Sequence, residues 1–329
     1  MASVILTHLG ESVPFYIQDC VHQLRIFNPT TPIYIILERC HAGGDFWTQL
    51  ERDYRPHLVY TDTLEPTDAH KEFVAGYKGD TAFRKGYWKH VKERFYFVEE
   101  LMIRDGLTDA ISMEYDVLVY GSLADLRAKL ANLKPHNLRM VMDNEERGHP
   151  AFMYIPLPEH IGNFNTFLSS ITDMPLEDMQ SLAMYTRLFP SLVSFFPVIT
   201  EARNKSIPLR KSQIGHSARD PHFLSQDSES LGYLFDSLVV GQWVGGIDSR
   251  NTRGHKITRY MNETALYNIK EMSFEWIKKD GKWVPQLDGR PLFTIHVHSK
   301  ALMCFVSDRA SMPSDDYDVR TVYSKLLPD

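Results

Sequence analysis

Two short stretches carry side chains whose types and spacing suit a divalent cation. Glu114-Tyr115-Asp116 stands between the apolar runs Ala110-Ile111-Ser112-Met113 and Val117-Leu118-Val119-Tyr120. In extended chain, residues i and i+2 point to the same side, so both carboxylates can face one hard ion. An E-x-D pattern by itself reads as a pair of surface acids on a turn. Flanking strands reverse that reading, because buried acids are costly unless something pairs with them. Far along the chain, Ile295-His296-Val297-His298-Ser299-Lys300 closes a strand-like run from Leu292 to Val297. His296 and His298 share one strand face there, and imidazole beside carboxylate suits manganese, iron or zinc better than calcium. Taken alone, the segment is equally a pair of core histidines and a solvent lysine. Combined with Glu114 and Asp116 it forms a mixed nitrogen and oxygen site with Lys300 as a point cation, and a diphosphate needs both a bridging ion and fixed cations.

Other residues are candidates for the rest of such a site. Arg84, in Ala82-Phe83-Arg84-Lys85-Gly86-Tyr87-Trp88, precedes a long helix whose dipole does not favour a cation, and that mismatch favours a ligand-facing side chain over a solvated charge. Asp236 and Asp248 bracket a glycine-containing run ending in Gly245-Gly246-Ile247. An acid held there can take a proton from a ligand hydroxyl or orient the ligand, although the glycines themselves read more simply as a helix cap. Both acids compete for the role. Asp143, ahead of Asn144 and Glu145 at a strand end, can contact ligand hydroxyls or simply form an acidic turn. Arg250, Arg253, His255, Lys256 and Arg259 make a basic loop able to close over a diphosphate.

These side chains need a frame, and the apolar pattern supplies one. Val4-Ile5-Leu6, Ile33 to Leu37, His57 to Tyr60 and Ala110 to Met113 read as strands. Between them lie helices started by Ser12 and Pro14 and ending at Phe27, from Asp45 to Asp53, and from Tyr87 to Arg104, the last with Trp88, Val91, Phe95, Val98, Leu101 and Met102 at helical spacing. A helix at Ser122 to Leu130, strands at Leu138 to Met142 and Phe152 to Ile155, and two helical stretches between Leu157 and Arg187 follow. Arg203 to Ser228 is polar, basic and without apolar period, which predicts a long loop. Strand and helix in alternation predict an α/β domain with a mostly parallel central sheet flanked by helices. Ligands of such sheets bind beyond the carboxyl ends of the strands, here just after Leu6, Leu37, Tyr60 and Met113.

Thr7-His8-Leu9-Gly10 after a first strand, the E-x-D at a later strand end and the late His-x-His-Ser-Lys together resemble the GT-A-fold glycosyltransferases, members of the nucleotide-diphospho-sugar transferase superfamily. The likeness covers nearly the whole chain in order, and departs from the family's D-x-D in having Glu114 at the first position. It implies a single GT-A-like, Rossmann-like domain over residues 1–308, with a nucleotide-binding half at 1–121, an acceptor-binding half at 122–308 and a tail at 309–329. It implies Asp116 and His298 as metal ligands, with Glu114 as a ribose-contacting or water-mediated position and His296 as the less favoured late histidine. Thr7 matches the place that receives the nucleotide base, and Arg84 and Lys300 match basic positions on the diphosphate. The implied activity is metal-dependent transfer of a hexosyl or pentosyl group from a UDP- or GDP-linked sugar to a hydroxyl of a glycan or glycoconjugate, with manganese as cofactor and magnesium as the alternative.

Composition sets the outer bounds. The chain has 329 residues, 43% hydrophobic and 24% charged, with 36 basic and 42 acidic side chains and a net charge of −6. It is long enough to remove roughly three quarters of its unfolded surface from water. Nothing resembles the dense basic stripe that nucleic-acid binding needs. The most apolar stretch, Leu188 to Ile199, is interrupted by Pro190 and Pro197 and is too short for a membrane span. The start lacks a basic leader, and Cys20, Cys40 and Cys304 are odd in number and widely spaced, so a reduced, cytoplasmic protein is expected. Two other functions fit the frame: nucleotidyl transfer, which normally brings a basic glycine-rich loop after the first strand, and a non-catalytic carbohydrate-binding protein with a decayed site.

Overall fold

The computed structural model describes residues 2–133, 135–206, 221–248, 251 and 259–313. In chain order the strands are β1 (Ser3–His8), β2 (Ile33–Leu37), β3 (His57–Tyr60), β4 (Ala110–Met113), β5 (Val117–Val119), β6 (Leu138–Asn144), β7 (Arg147–Ile155), β8 (Val193–Phe195), β9 (Phe274–Lys279), β10 (Lys282–Leu287), β11 (Arg290–Pro291) and β12 (Thr294–His296). Seven form one sheet in the order β3-β2-β1-β4-β7-β6-β8. The first four are mutually parallel, β7 runs antiparallel to β4 and β6, and β8 is parallel to β6, so the sheet is mostly parallel.

The helices are α1 (Ile17–Phe27), α2 (Asp45–Tyr54), α3 (Asp68–Gly76), α4 (Tyr87–Asp105), α5 (Leu123–Leu130), α6 (Pro158–Ser170), α7 (Asp178–Leu188), α8 (Glu201–Ser206), α9 (Ser228–Leu231) and α10 (Val239–Gly245). They cover both sheet faces. Val4 and Leu6 of β1, with Ile33, Ile35 and Leu37 of β2, pack on α1 and α2, while Ile5 and Ile36 join Phe73, Phe95, Val98 and Phe164 on the opposite side. This period of two, with both faces covered, is why Ile33 to Leu37 is uninterruptedly apolar in sequence. No described helix is long and apolar enough to cross a membrane.

Several local expectations are revised. The first helix begins at Ile17, because residues 14–16 form a tight turn in which Ile17 N–H donates to Pro14 O at 2.9 Å. Helix α3 was not legible as apolar period; Thr67 caps it by accepting from His70 N–H at 3.3 Å. Arg203–Ser206 belongs to α8 and not to a loop, and residues 207–220 of that stretch lie outside the described residues. The C-terminal strand is shorter than Leu292 to Val297 and lies outside the main sheet: β12 pairs antiparallel with β5 alone. The paired strands β9 and β10 were not anticipated.

Candidate metal centre and its surroundings

The main sheet does not bring the E-x-D and the late histidines together; the small β5–β12 pair does. Glu114 N–H still donates to Ala151 O at 3.0 Å, and Val117 N–H then donates back to Glu114 O at 3.2 Å, so the chain leaves β4 through a tight turn. Register sets His296 opposite Val117, and Val297 N–H donates to Asp116 O at 2.8 Å. Asp116 Oδ2 consequently meets His296 Nε2 at 2.9 Å across 180 residues of sequence, and also accepts from Lys300 Nζ. His296 Nε2 is 3.6 Å from Glu114 Oε2. One ligand atom each from Glu114, Asp116 and His296 lie within 4.8 Å of one another.

Charge is concentrated there. Burial would raise the Asp116 pKa, but His296 and Lys300 hold it well below the carboxylate range. The same pairing outweighs burial at Lys300 and at His296, whose pKa values are raised. Lys300 has a left-handed backbone, φ 67°, in a turn closed by its N–H to Val297 O.

Glu114 is fixed from the other side. Arg94 of α4 donates to Glu114 Oε1 at 2.6 Å and to Asp178 Oδ2, at the start of α7, at 2.7 Å. Burial is again outweighed, and Glu114 and Asp178 keep the guanidinium charged. Neither Arg94 nor Asp178 was singled out from sequence, although an arginine beside the apolar stripe of α4 was a usable signal. His149 of β7 was also missed. It is buried, sits edge-to-face on His296 with ring centroids 5.1 Å apart, and neither ring nitrogen has a hydrogen-bond partner among the described residues. Burial, with His296 and Arg147 nearby, pushes its pKa well down.

One sequence expectation is corrected. His298 does not share a strand face with His296, since β12 ends at His296 and the chain turns, with His298 N–H donating to His296 O at 2.9 Å. Its ring lies beside the group, 6.3 Å from that of His296; Nδ1 accepts from Asp248 N–H at 3.1 Å, and burial with Lys300 pushes its pKa down to about 3. Asp236, one of the two competing acids, is buried and held by backbone donors. Its oxygens accept from the N–H groups of Val240, Gly241 and His296 at 2.8–2.9 Å, so it ties α10 to β12.

Asp248 is buried and close enough to Lys300 and His298 to act on their charge. Thr7, near the end of β1, has a buried hydroxyl without a partner among the described residues. Next to it, His8 Nδ1 lies 3.1 Å from the Tyr115 hydroxyl, its ring near His41 and Trp47, and burial with His41 pushes its pKa down to about 4. Tyr115 therefore links the β1 end to the acidic turn. Arg84 is exposed at the rim over the rings of Phe83 and Tyr87, 5.1 and 5.8 Å away, and Tyr87 lies in the field of Asp178 and Glu114. Asp143 accepts from the Thr264 hydroxyl and faces Arg147 at 3.7 Å. Of the basic loop, Arg250, Arg253, His255 and Lys256 lie outside the described residues, while Arg259 covers the Trp243 ring at 4.8 Å.

No family model matches the chain, and no curated protein matches its sequence. Among solved structures it is similar to apo mouse xyloside xylosyltransferase 1, with TM-score 0.44 and 9% identity over 63% of this chain and 91% of that one. It is also similar to galactosyltransferase LgtC in complex with donor and acceptor sugar analogues, with TM-score 0.40 and 13% identity over 60% and 73% of the two chains. The bifunctional glycosyltransferase WbbM in apo form gives TM-score 0.40 and 12% identity over 60% of this chain and 39% of that one.

Proposed function

We propose that the chain is a divalent-metal-dependent glycosyltransferase of GT-A type, moving a hexosyl or pentosyl group from a UDP- or GDP-linked donor to a hydroxyl of a glycan or glycoconjugate. The observation that carries this is the convergence of Glu114, Asp116, His296 and Lys300 just past β4, with the partner-seeking β1 end beside it. Ligands of open α/β sheets bind in that position. Two carboxylates and an imidazole, with a further buried imidazole left unsatisfied, fit manganese, with magnesium as the alternative. When bound, the cation supplies Lewis-acid neutralisation of the leaving diphosphate.

The chain's own residues have distinct tasks in this reading. Arg94 holds one oxygen of Glu114 and leaves the other turned toward His296. Lys300 and Arg84 offer fixed positive charge to the diphosphate. Thr7 Oγ1, His8 Nε2 and Trp47 Nε1 are buried polar atoms lacking partners among the described residues, as a surface awaiting a nucleoside would present. Asp248 is the acid that orients or deprotonates the acceptor hydroxyl, and Asp143 is a further sugar-contacting candidate. Nucleotidyl transfer is disfavoured because Gly10 N–H after β1 is occupied by the Glu38 carboxylate at 2.5 Å, where a triphosphate would need donors and cations. The intact acidic group likewise weighs against a decayed, purely binding protein.

The test is a panel of nucleotide diphosphates and sugar nucleotides, scored by thermal shift and by slow donor hydrolysis with and without manganese. Manganese-dependent binding and turnover that Asp116→Ala abolishes are expected. Metal-independent binding, or normal turnover by that variant, would overturn the reading.

A further inference from the structure

His149 is an unusual buried histidine. A neutral imidazole carries one donor and one acceptor whichever tautomer it adopts, and a histidine buried for structural reasons satisfies at least one of them. Here both nitrogens are buried and unpartnered among the described residues, and the ring is only 3% exposed. Leaving both unsatisfied is expensive, so a partner is expected that protein atoms do not provide. Location identifies the partner's chemistry. Met113, the last residue of β4, pairs with Phe152, so His149 extends past the end of β4 and runs alongside the Glu114-to-Asp116 turn. Its ring packs on His296, itself one of the three grouped ligand residues, and it feels the Asp116 charge. The nearby Arg147 cannot accept a hydrogen bond, and its guanidinium faces Asp143 and Glu177.

We propose that His149 is a second imidazole donor to the cation held by Glu114, Asp116 and His296. The inference rests on the cation site proposed above and adds a preference: two imidazoles beside two carboxylates select a transition ion such as manganese over magnesium or calcium. It also accounts for a histidine at a position where its unpaired nitrogens would otherwise weaken the core.

The experiment uses the full chain and manganese alone. Calorimetry gives the affinity, pulsed electron paramagnetic resonance counts coupled imidazole nitrogens, and thermal unfolding is followed without metal. Two imidazoles are expected in the wild type. His149→Phe should show one, with manganese affinity lower by about tenfold or more, magnesium affinity changed much less, and the metal-free melting temperature equal or higher. If that variant does not fold, His149→Gln is measured in the same way. A variant that keeps wild-type affinity, or a wild type with a single coupled imidazole, overturns the role of His149 while leaving the cation site standing. A wild type that takes up no manganese, or an Asp116→Asn that binds it undiminished, overturns the cation site and this proposal with it.

Discussion

Asp116 shows how much one buried carboxylate can organise. Its charge is stabilised by His296 and Lys300, both largely withdrawn from water, so removing it takes from each its shortest carboxylate contact. Asp116→Ala should therefore destabilise the metal-free chain by about 3–5 kcal/mol in urea unfolding, besides abolishing cation binding. A loss below about 1 kcal/mol would mean that the three groups do not share charge as the geometry indicates. Arg94 permits a finer test. Lysine keeps the charge but cannot fork between Glu114 and Asp178, which are 2.6 and 2.7 Å from its two terminal nitrogens. Arg94→Lys should weaken manganese binding by roughly 10–100-fold, as for other residues that orient metal ligands. Calorimetry showing unchanged affinity would reduce Arg94 to a strut between helices. At this scale Glu114, Asp116, His296 and Lys300 were legible because their residue types announce their chemistry. Arg94, Asp178 and His149 were not, since their meaning lies in partners far away in sequence. The expected shared strand face of His296 and His298 was misread because the strand ends at His296.

Helices α3 and α4 are joined by charge where the sequence pattern suggested only an apolar stripe. His70 of α3 places Nδ1 2.6 Å from Glu100 and Nε2 3.4 Å from Glu93, stacks on Tyr96, and touches the ring of Phe97, while Lys89 and His90 also face Glu93. Burial would lower its pKa, but the two carboxylates raise it to about 9. Because the folded value lies above the free value near 6.5, the contribution to stability is complete below that pH and disappears as pH rises through about 9. The wild type should lose up to about 3 kcal/mol relative to His70→Gln between about pH 6 and pH 10. Equal pH dependence in the two proteins would show that His70 does not titrate as described. Between α10 and β12 the constraint is steric. A Cβ on Gly241 would lie 1.8 Å from His296 O, so Gly241→Ala must displace β12 or α10 and with it His296. A loss of about 3 kcal/mol or more is expected, together with loss of manganese binding; a stable variant with intact binding would show that β12 can shift without moving His296. The glycine run did read as a helix end, and Gly246 does cap α10 at φ 77°. What sequence did not reveal was that Gly241 is required by the neighbouring strand's backbone.

Across the whole molecule, the alternation of strands and helices foretold the mostly parallel sheet, since apolar periodicity is a local property read over a few residues. It did not foretell that β5 and β12 would leave that sheet and pair with each other, because partners as distant in sequence as Val119 with Thr294 and Val117 with His296 leave no local trace. In the proposed reading, that pair also lets a chain of net charge −6 offer a diphosphate site. Lys300 and Arg94 pair with Asp116 and Glu114 in one cluster, and Debye screening over roughly 8 Å at physiological salt confines the rest of the acidic surface to its own neighbourhood. Both ends of the chain contribute to its closure: Gln23 of α1 bonds Val119 O and Ser307, and the Tyr120 hydroxyl donates to Phe305 O. A ligand that bridges Asp116 and His296 must then stabilise the first third and the last tenth of the chain together. With manganese and a bound nucleotide diphosphate at about a hundred times its dissociation constant, a single unfolding transition should move upward by about 2.7 kcal/mol, or roughly 3–5 °C for a chain this long. Either component alone should give much less. Calorimetric unfolding that instead resolves two transitions, only one of them moved by ligand, would show that residues 1–121 fold independently of the segment carrying His296, and the site would then be assembled on binding.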